Sequence, residues 1–547
     1  MTTEADQILK EQSELASKRA NFDSFWQSIA YRVLPNSANF TEQTSEGQMR
    51  TERVFTSTPI TANDRFAAFI HEGMTPRDQV WHMLEPEDED EDLKEDHEVS
   101  EYLERLNKAL FAARYRPTAN FTSQRHDCYL SAGAFGNYCL FIDEVPGQGT
   151  RYKSIYIGEV FWAENHQGIV DTLYRKFPLQ GRQALQKFGK DLPPKIAEAA
   201  QKEPFRSFDF IHCVKPNEDI RQGRRDFSGM PIASRYVSCD EKVIIQRGGY
   251  TSFPYAVGRF LKSPNEVYAR SPAMTAFGAI LTLNEQKKTV LRAGQKQVDP
   301  PVLLHEDGIL EAFDLRAGAL NYGAITNGGE LLAQPFNTGG KVELGVDLMG
   351  LEEKDINDAF LVSLFQILSD QPQMTATEVL SRMQERAQIL SPTTARLESE
   401  DLGPMVVREI DLLSRDSSHR WILEEMPEAL LDQGGAYKIT YSSPLAKARR
   451  AGDALAITRS LEIGGVAAQL DPDAALVMDV PEAYREICDI NGVPAKVMRS
   501  KEDVAALKEQ RQQQQLLAAA AEMAPGMAGA AKDVAQAEQI RRASGAA

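Results

Sequence analysis

The most regular chemical pattern in the chain is cationic: Lys288, Arg292 and Lys296 recur every four residues with Lys287 beside them, a slanting basic stripe if the segment is helical. Such a stripe can follow a phosphate backbone or face water, but it cannot cleave or transfer anything. A second basic group, Arg221, Arg224 and Arg225, lies in the turn-prone stretch "PNEDIRQGRRDFSGMP". The residues that could carry covalent chemistry fail at fixed positions. His71 opens "HEGMT" like a zinc-protease helix, but Thr75 stands where the second histidine must be. "NTGGKV" at 337–342 matches a phosphate loop only at Gly340 and Lys341; Pro335 takes the place of the first glycine and Val342 that of the Mg²⁺-binding hydroxyl. No serine has a glycine two positions before it, so there is no nucleophile elbow. The five cysteines, Cys128, Cys139, Cys213, Cys239 and Cys488, form no C-x-x-C, which suggests neither a disulfide framework nor a thiolate zinc site. The eight histidines are scattered without ligand spacing. No catalytic, cofactor-binding or metal residue is therefore assigned. Carboxylates are plentiful enough for a nuclease-like cluster gathered from distant positions, and this stays open as an alternative.

The elements that must position these residues can be read in order. At 547 residues the chain exceeds a single compact core and should form two to four regions, with 42% hydrophobic residues to fill them. A net charge of -18 argues against a general nucleic-acid binder, yet it allows a duplex to slide past without sticking. The N-terminus has no signal-like run, and no stretch reaches the roughly eighteen apolar residues a membrane span needs, so a soluble protein made in a reducing compartment is expected. Residues 4–34 and 60–74 read as helices, the first through Phe22, Phe25, Trp26, Ile29 and Val33, the second through Phe66, Phe69 and Ile70. An acidic run from Pro86 reads as a solvated loop and 99–113 as a helix. Tyr, Phe, Ile and Val enrichment over 135–175 predicts a small antiparallel sheet, 178–201 predicts helix, and 207–256 reads as a separate β-rich insertion. Ser271 and Pro272 supply a cap and a first-turn proline for a helix over 272–296, so the basic stripe is placed on a helix.

Further on, 302–346 is rich in glycine and turns, and helices are expected at 354–368 and 375–390. In the latter, Thr375 and Glu378 form a capping box, and Leu380, Met383, Ala387 and Leu390 make one apolar stripe. Asp370, Gln371, Pro372 and Gln373 before it suit an exposed loop. Ser443 and Pro444 open another helix, and the chain ends in an Ala/Gln-rich tail that is either disordered or a helix ordered only against its own copies.

In this order the segments "ANDRFAAFIHEGMTPRDQVWHML", "SAGAFGNYCLFIDE", "NEVYARSPAMTAFGAILTLNEQKKTVLRAGQKQVDPP", "INDAFLVSLFQILSDQPQMTATEVLSRMQERAQIL" and "YSSPLAKARR" resemble the portal, or head-to-tail connector, proteins of short-tailed bacteriophages. The resemblance covers nearly the whole chain. It implies an α+β fold with a mainly helical wing, stem and crown, a small wing sheet and a β-rich clip. Carried onto this sequence, 1–177 would be the first part of the wing, 178–204 and 259–298 the stem helices, and 205–258 the clip. Residues 299–440 would complete the wing, with a channel loop at 369–375 and the long helix at 375–390; 441–504 would be the crown and 505–547 a barrel helix or a disordered tail.

The function implied is a ring, usually dodecameric, at one capsid vertex of the virion, assembled in the host cytoplasm. Its partners would be the terminase large subunit, tail adaptors, major capsid and scaffolding proteins, and double-stranded DNA passing non-specifically. Lys287, Lys288, Arg292 and Lys296 would make basic belts near the DNA, Asp370–Gln373 would project toward the channel, and Arg221, Arg224 and Arg225 would sit on a clip turn, facing either a partner or a neighbouring subunit. The competing classes are a metal-dependent phage nuclease and an intracellular scaffold that forms no ring.

Overall fold

The computed structural model describes residues 3–42, 44–45, 47–87, 96–221, 223–224, 226–304, 314, 316, 318–322, 324–336, 341–363, 388–432, 434–471, 477–491, 493, 497–499 and 503–515. The fold is α+β, and its contacts group it into two units: residues 1–81, 110–420 and 443–452, and residues 82–109, 421–442 and 453–547.

The first unit opens with α1 (Glu4–Val33), started by a capping box in which the Thr3 hydroxyl accepts from the Asp6 N–H at 3.2 Å and the Asp6 carboxylate accepts from the Thr3 N–H at 3.3 Å. α1 buries Trp26, Ile29 and Val33, and Trp26 packs against Phe22, Phe40, Phe135 and Tyr268. α2 (Thr58–Met74) follows the sequence expectation closely and buries Phe66 and Ile70. β1 (His82–Pro86) and the first part of α3 (His97–Arg114) belong to the second unit.

α4 (Phe121–Phe135) was not foreseen. Ser123 and Asp127 are exposed, but Arg125 is buried on the inner face beside Cys128, Tyr129, Ala132 and Gly133, so a charged residue interrupts the apolar stripe that would mark the helical period. A side chain at Gly133 would come within 2.7 Å of the Phe66 ring, and its absence lets α2 and α4 approach closely. The helix ends at Gly136, whose φ of 74° is the left-handed cap that glycine adopts without strain.

Beyond Gly136 the chain builds two antiparallel sheets. β2 (Asn137–Val145) and β3 (Gly149–Ile155) make a hairpin, and β4 (Val160–Glu164), β5 (Val170–Gln180), β6 (Ser207–Pro216), β7 (Ile232–Ser238) and β8 (Val243–Tyr250) pair in sequence as a five-stranded sheet. β9 (Tyr255–Arg259) returns to pair with β2, giving the order β3-β2-β9.

This corrects two expectations. Residues 178–180 are strand, with Gln180 paired to Ser207, and the chain then forms two short helices, α5 (Gly181–Phe188) and α6 (Pro194–Lys202), rather than one stem helix. Gly189, at φ 52°, and the Pro193–Pro194 pair cut the helical pattern. Phe188, Leu192, Ile196 and Ala200 pack on Phe177, Phe208 and Phe210 of the sheet. The 207–256 stretch is likewise no separate insertion, because β6–β8 complete the sheet that β4 and β5 begin and β9 joins the other sheet.

Ser271 caps a single turn, Pro272–Thr275, its Oγ accepting from the Met274 N–H at 2.9 Å, and the helix resumes as α7 (Phe277–Val298). β10 (Val302–Leu304) pairs antiparallel with β11 (Ala333–Pro335), and α8 (Val342–Ala359) follows. α8 therefore starts twelve residues before the expected 354, because Gly345 and Gly350, which read as turn signals, lie inside it. After a helical stretch at 388–397, a π turn (Glu398–Leu402) leads into α9 (Gly403–Arg415).

In the second unit β1 pairs antiparallel with β12 (Tyr437–Tyr441), His82 opposite Tyr441. Tyr102 of α3 donates to the Ile422 carbonyl at 2.5 Å, and Arg105 meets Glu425 at 2.6 Å while lying over the Trp421 ring. α10 (Pro444–Leu470) begins in the first unit, opened as expected by Ser443, whose Oγ accepts from the Ala446 N–H at 3.3 Å, and from 453 belongs to the second. α11 (Val480–Asn491) and a helix at 503–515 close the described chain.

Candidate functional site

The helix that carries the basic stripe does not stand alone. α8 runs back beside α7, and a side chain at Gly345 would fall 2.7 Å from the Val290 methyl, so the two backbones are as close as glycine allows. The base of the pair is tied to the unit: the Asn284 amide accepts from the Phe55 N–H at 2.9 Å and donates to the Arg53 carbonyl at 3.1 Å, with Ile280 and Leu283 buried below it. From α8, Met349 and Ile356 are buried. Beyond that base the outer faces are open. Lys287 and Lys288 are half-buried, Lys288 pairing with Glu285 at 3.4 Å, and Arg292 and Lys296 are exposed. An open groove of about 850 Å³ at the far end is lined by Leu291, Arg292, Lys296, Val298, Pro301 and Val342.

What anchors this unit is a set of buried charges that the sequence did not reveal as partners. Among the described residues five arginines are buried: Arg19, Arg114, Arg125, Arg259 and Arg408. Four of them engage the segment from Glu398 to Arg415. Arg125 of α4 and Asp401 on the π turn form a doubly hydrogen-bonded pair from which water is fully excluded, and Tyr138 donates to Asp401 at 2.7 Å. Burial alone would lower the Arg125 pKa, but the Asp401 charge overrides it and holds the guanidinium well above its ordinary value. Arg114 donates twice to Glu409, at 3.2 and 2.5 Å, and Tyr152 donates to the same carboxylate at 2.6 Å. Arg259 meets Glu400 at 2.6 Å and shares Glu164 with Lys262. Arg408 of α9 bridges Asp143 at 3.2 Å and Asp411 at 3.0 Å. The acids that the fold gathers, Glu400, Asp401, Glu409 and Asp411, thus each face an arginine. The π turn matters here because its wider coil sets Glu400 toward Arg259 and the next residue, Asp401, toward Arg125.

The remaining expected residues are spread out. Arg221 and Arg224 are exposed on the β6–β7 connection, a compact turn closed by Arg221 N–H donating to the Ser228 carbonyl at 2.9 Å, and Arg224 pairs with Asp226 at 3.3 Å. Arg225, the loop Asp370, Gln371, Pro372 and Gln373, and residues 375–387 of the expected long helix lie outside the described residues, as do 516–547 of the tail. Of that helix Leu390 is described, and it is buried as its stripe requires. His71 lies 5.9 Å from the His126 ring in α4; burial first, then the Arg125 and His126 charges, push its pKa down to about 4.

The chain belongs to the bacteriophage head to tail connecting protein family, whose model matches residues 5–498. It is 25% identical to the portal protein of Salmonella phage epsilon15 over 93% of this chain and 91% of that protein. It is 27% identical to a probable portal protein of Bordetella phage BPP-1 over the same shares. Among solved structures, a chain in the virion of a native gene transfer agent (GTA) particle matches with 12% identity and a TM-score of 0.31, covering 81% of this chain and 95% of that one.

Proposed function

We propose that this chain is a portal subunit. Copies of it close into a ring at one vertex of a phage capsid, and duplex DNA passes through the ring when the genome is packaged and when it is ejected. The observation that carries this reading is the family match along residues 5–498, together with the similarity to two portal proteins over about nine tenths of the chain. The geometry supports it: α7 and α8 leave the unit as a pair with open outer faces, and the acids gathered around α9 are engaged by arginines instead of being free for a metal-assisted cleavage. The motor is a separate ATP-driven terminase, and this subunit is its docking ring, which suits a sequence without a nucleotide cradle.

In this reading α7 and α8 form the stem, and residues 299–341 between them form the clip that meets the motor and the tail adaptors. That moves the clip from 205–258, whose strands belong to the body of the unit. The channel loop stays at 369–375, the long wing helix at 375–390 and the crown at 441–504. The subunit resides in the virion, is assembled in the host cytoplasm on scaffolding and capsid proteins, and forms a ring of about twelve copies, as closed cyclic symmetry allows. Mass photometry and negative-stain microscopy of the purified protein test this. Closed rings with an axial hole are expected; a monodisperse monomer at high concentration, or divalent-metal-dependent cleavage of DNA, would overturn it.

A further inference from the structure

The outward charges of the helix pair are sorted by helix. The second half of α7 carries Lys287, Lys288, Arg292 and Lys296 against the single acid Glu285, whereas α8 carries Glu343, Asp347, Glu352, Glu353, Asp355 and Asp358 against the single base Lys354. Among the described residues the one ion pair these side chains make is Lys288 with Glu285, and none crosses from α7 to α8. Helical spacing explains this. Lys288, Arg292 and Lys296 lie on the side of α7 away from Leu283 and Val290, and Glu343, Asp347 and Asp358 lie on the side of α8 away from Met349 and Ile356.

Beside those acids Leu344, Leu348 and Leu351 form an apolar ridge at steps of four and three, 57%, 44% and 62% exposed. A leucine ridge flanked by unpaired acids is a poor face to leave in water and repels a phosphate backbone. It fits an apolar groove with a cationic rim. The groove at the far end of α7 is lined by Leu291, Val298 and Pro301 together with Arg292 and Lys296, which outnumber its one acid, Asp299.

We infer that the outer face of α8 docks on α7 of a second copy of this chain. The leucine ridge seats in the Leu291–Val298 groove, and Glu343 and Asp347 pair with Arg292 and Lys296 of the neighbour. The two surfaces are different, so each copy presents one and receives the other, and the contact repeats head to tail until the ring closes. This rests on the ring reading and deepens it: the basic stripe belongs to the subunit interface and not to the DNA path.

The test is charge exchange, read by mass photometry and negative-stain microscopy at fixed ionic strength, with circular dichroism to confirm that each exposed-residue variant is folded. Arg292→Glu with Lys296→Glu, and separately Glu343→Lys with Asp347→Lys, each lower the ring fraction at least tenfold, and mixing the two variants one to one restores rings of alternating copies. Rings that survive either reversal, or a mixture that stays unassembled, overturn the inference while leaving the ring reading intact. The same holds if Arg292→Glu/Lys296→Glu rings form normally but lose salt-dependent binding of a DNA duplex. Absence of rings in the unmodified protein overturns the ring reading itself and the inference with it.

Discussion

Removing Asp401 should release the segment that carries α9. In the native chain the Arg125 and Asp401 side chains are both wholly excluded from water, and Tyr138 also donates to the carboxylate. Asp401→Ala leaves a buried guanidinium whose remaining side-chain hydrogen-bond partner is the Tyr129 hydroxyl, at 3.0 Å. Breaking one half of a buried ion pair costs about 3–5 kcal/mol, because the surviving charge is neither hydrated nor neutralised. The stranded Tyr138 hydroxyl adds about 1 kcal/mol. With about 1.4 kcal/mol per factor of ten, amide protection across Gly403–Arg415 and Phe121–Phe135 should fall by roughly three to four orders of magnitude. Hydrogen exchange followed by mass spectrometry reads this directly. The companion variant Arg125→Met/Asp401→Leu, which removes both charges and keeps volume, should recover most of the protection. Protection within threefold of the unmodified chain in Asp401→Ala, or a double variant as weak as the single one, would refute the view that this pair anchors the π turn.

Gly133→Ala places a methyl 2.7 Å from the Phe66 ring, an overpacking worth about 1–3 kcal/mol, and should lower the denaturant midpoint with an unchanged m value. His71 is held neutral by burial first and then by the Arg125 and His126 charges, with its pKa moved from 6.5 to about 4. Between those values the unfolded chain binds a proton that the folded one refuses, so stability is lost as pH falls through this window; His71→Gln should flatten that slope in denaturation curves between pH 7 and about 4. Burial pushes the thiols of Cys128 and Cys213 up to about 12, and Cys239, raised to about 11, is only half-buried. Of these three, Cys239 should be the first alkylated under native conditions, as peptide mapping would show. Gly345→Val sets a branched side chain against Val290 and should deprotect α7 and α8 to exchange without disturbing the Arg125–Asp401 segment.

Local, directional signals were legible in the sequence. The caps at Ser271 and Ser443, the apolar faces of α1 and α2 and the basic stripe on a helix all depend on residues a few positions apart, where spacing alone sets geometry. The order of such segments was also enough to point to the family. What lay beyond reach depends on contacts between distant residues. α4 was invisible because its inner face carries the buried Arg125 and the small Gly133 where an apolar stripe would be expected, so the sequence shows no clean helical period. The stem helix expected at 178–201 broke because Gln180 found a strand partner in Ser207 and the proline pair stopped what remained. Arg125 and Asp401 are 276 residues apart and Arg114 and Glu409 are 295 apart, so their pairing is decided by which elements the core brings together. The basic stripe could be read from α7 alone, but that an acidic, leucine-ridged helix runs beside it with its charges turned outward is a fact of tertiary structure, because only the close approach at Gly345 fixes which faces of α7 and α8 are left open.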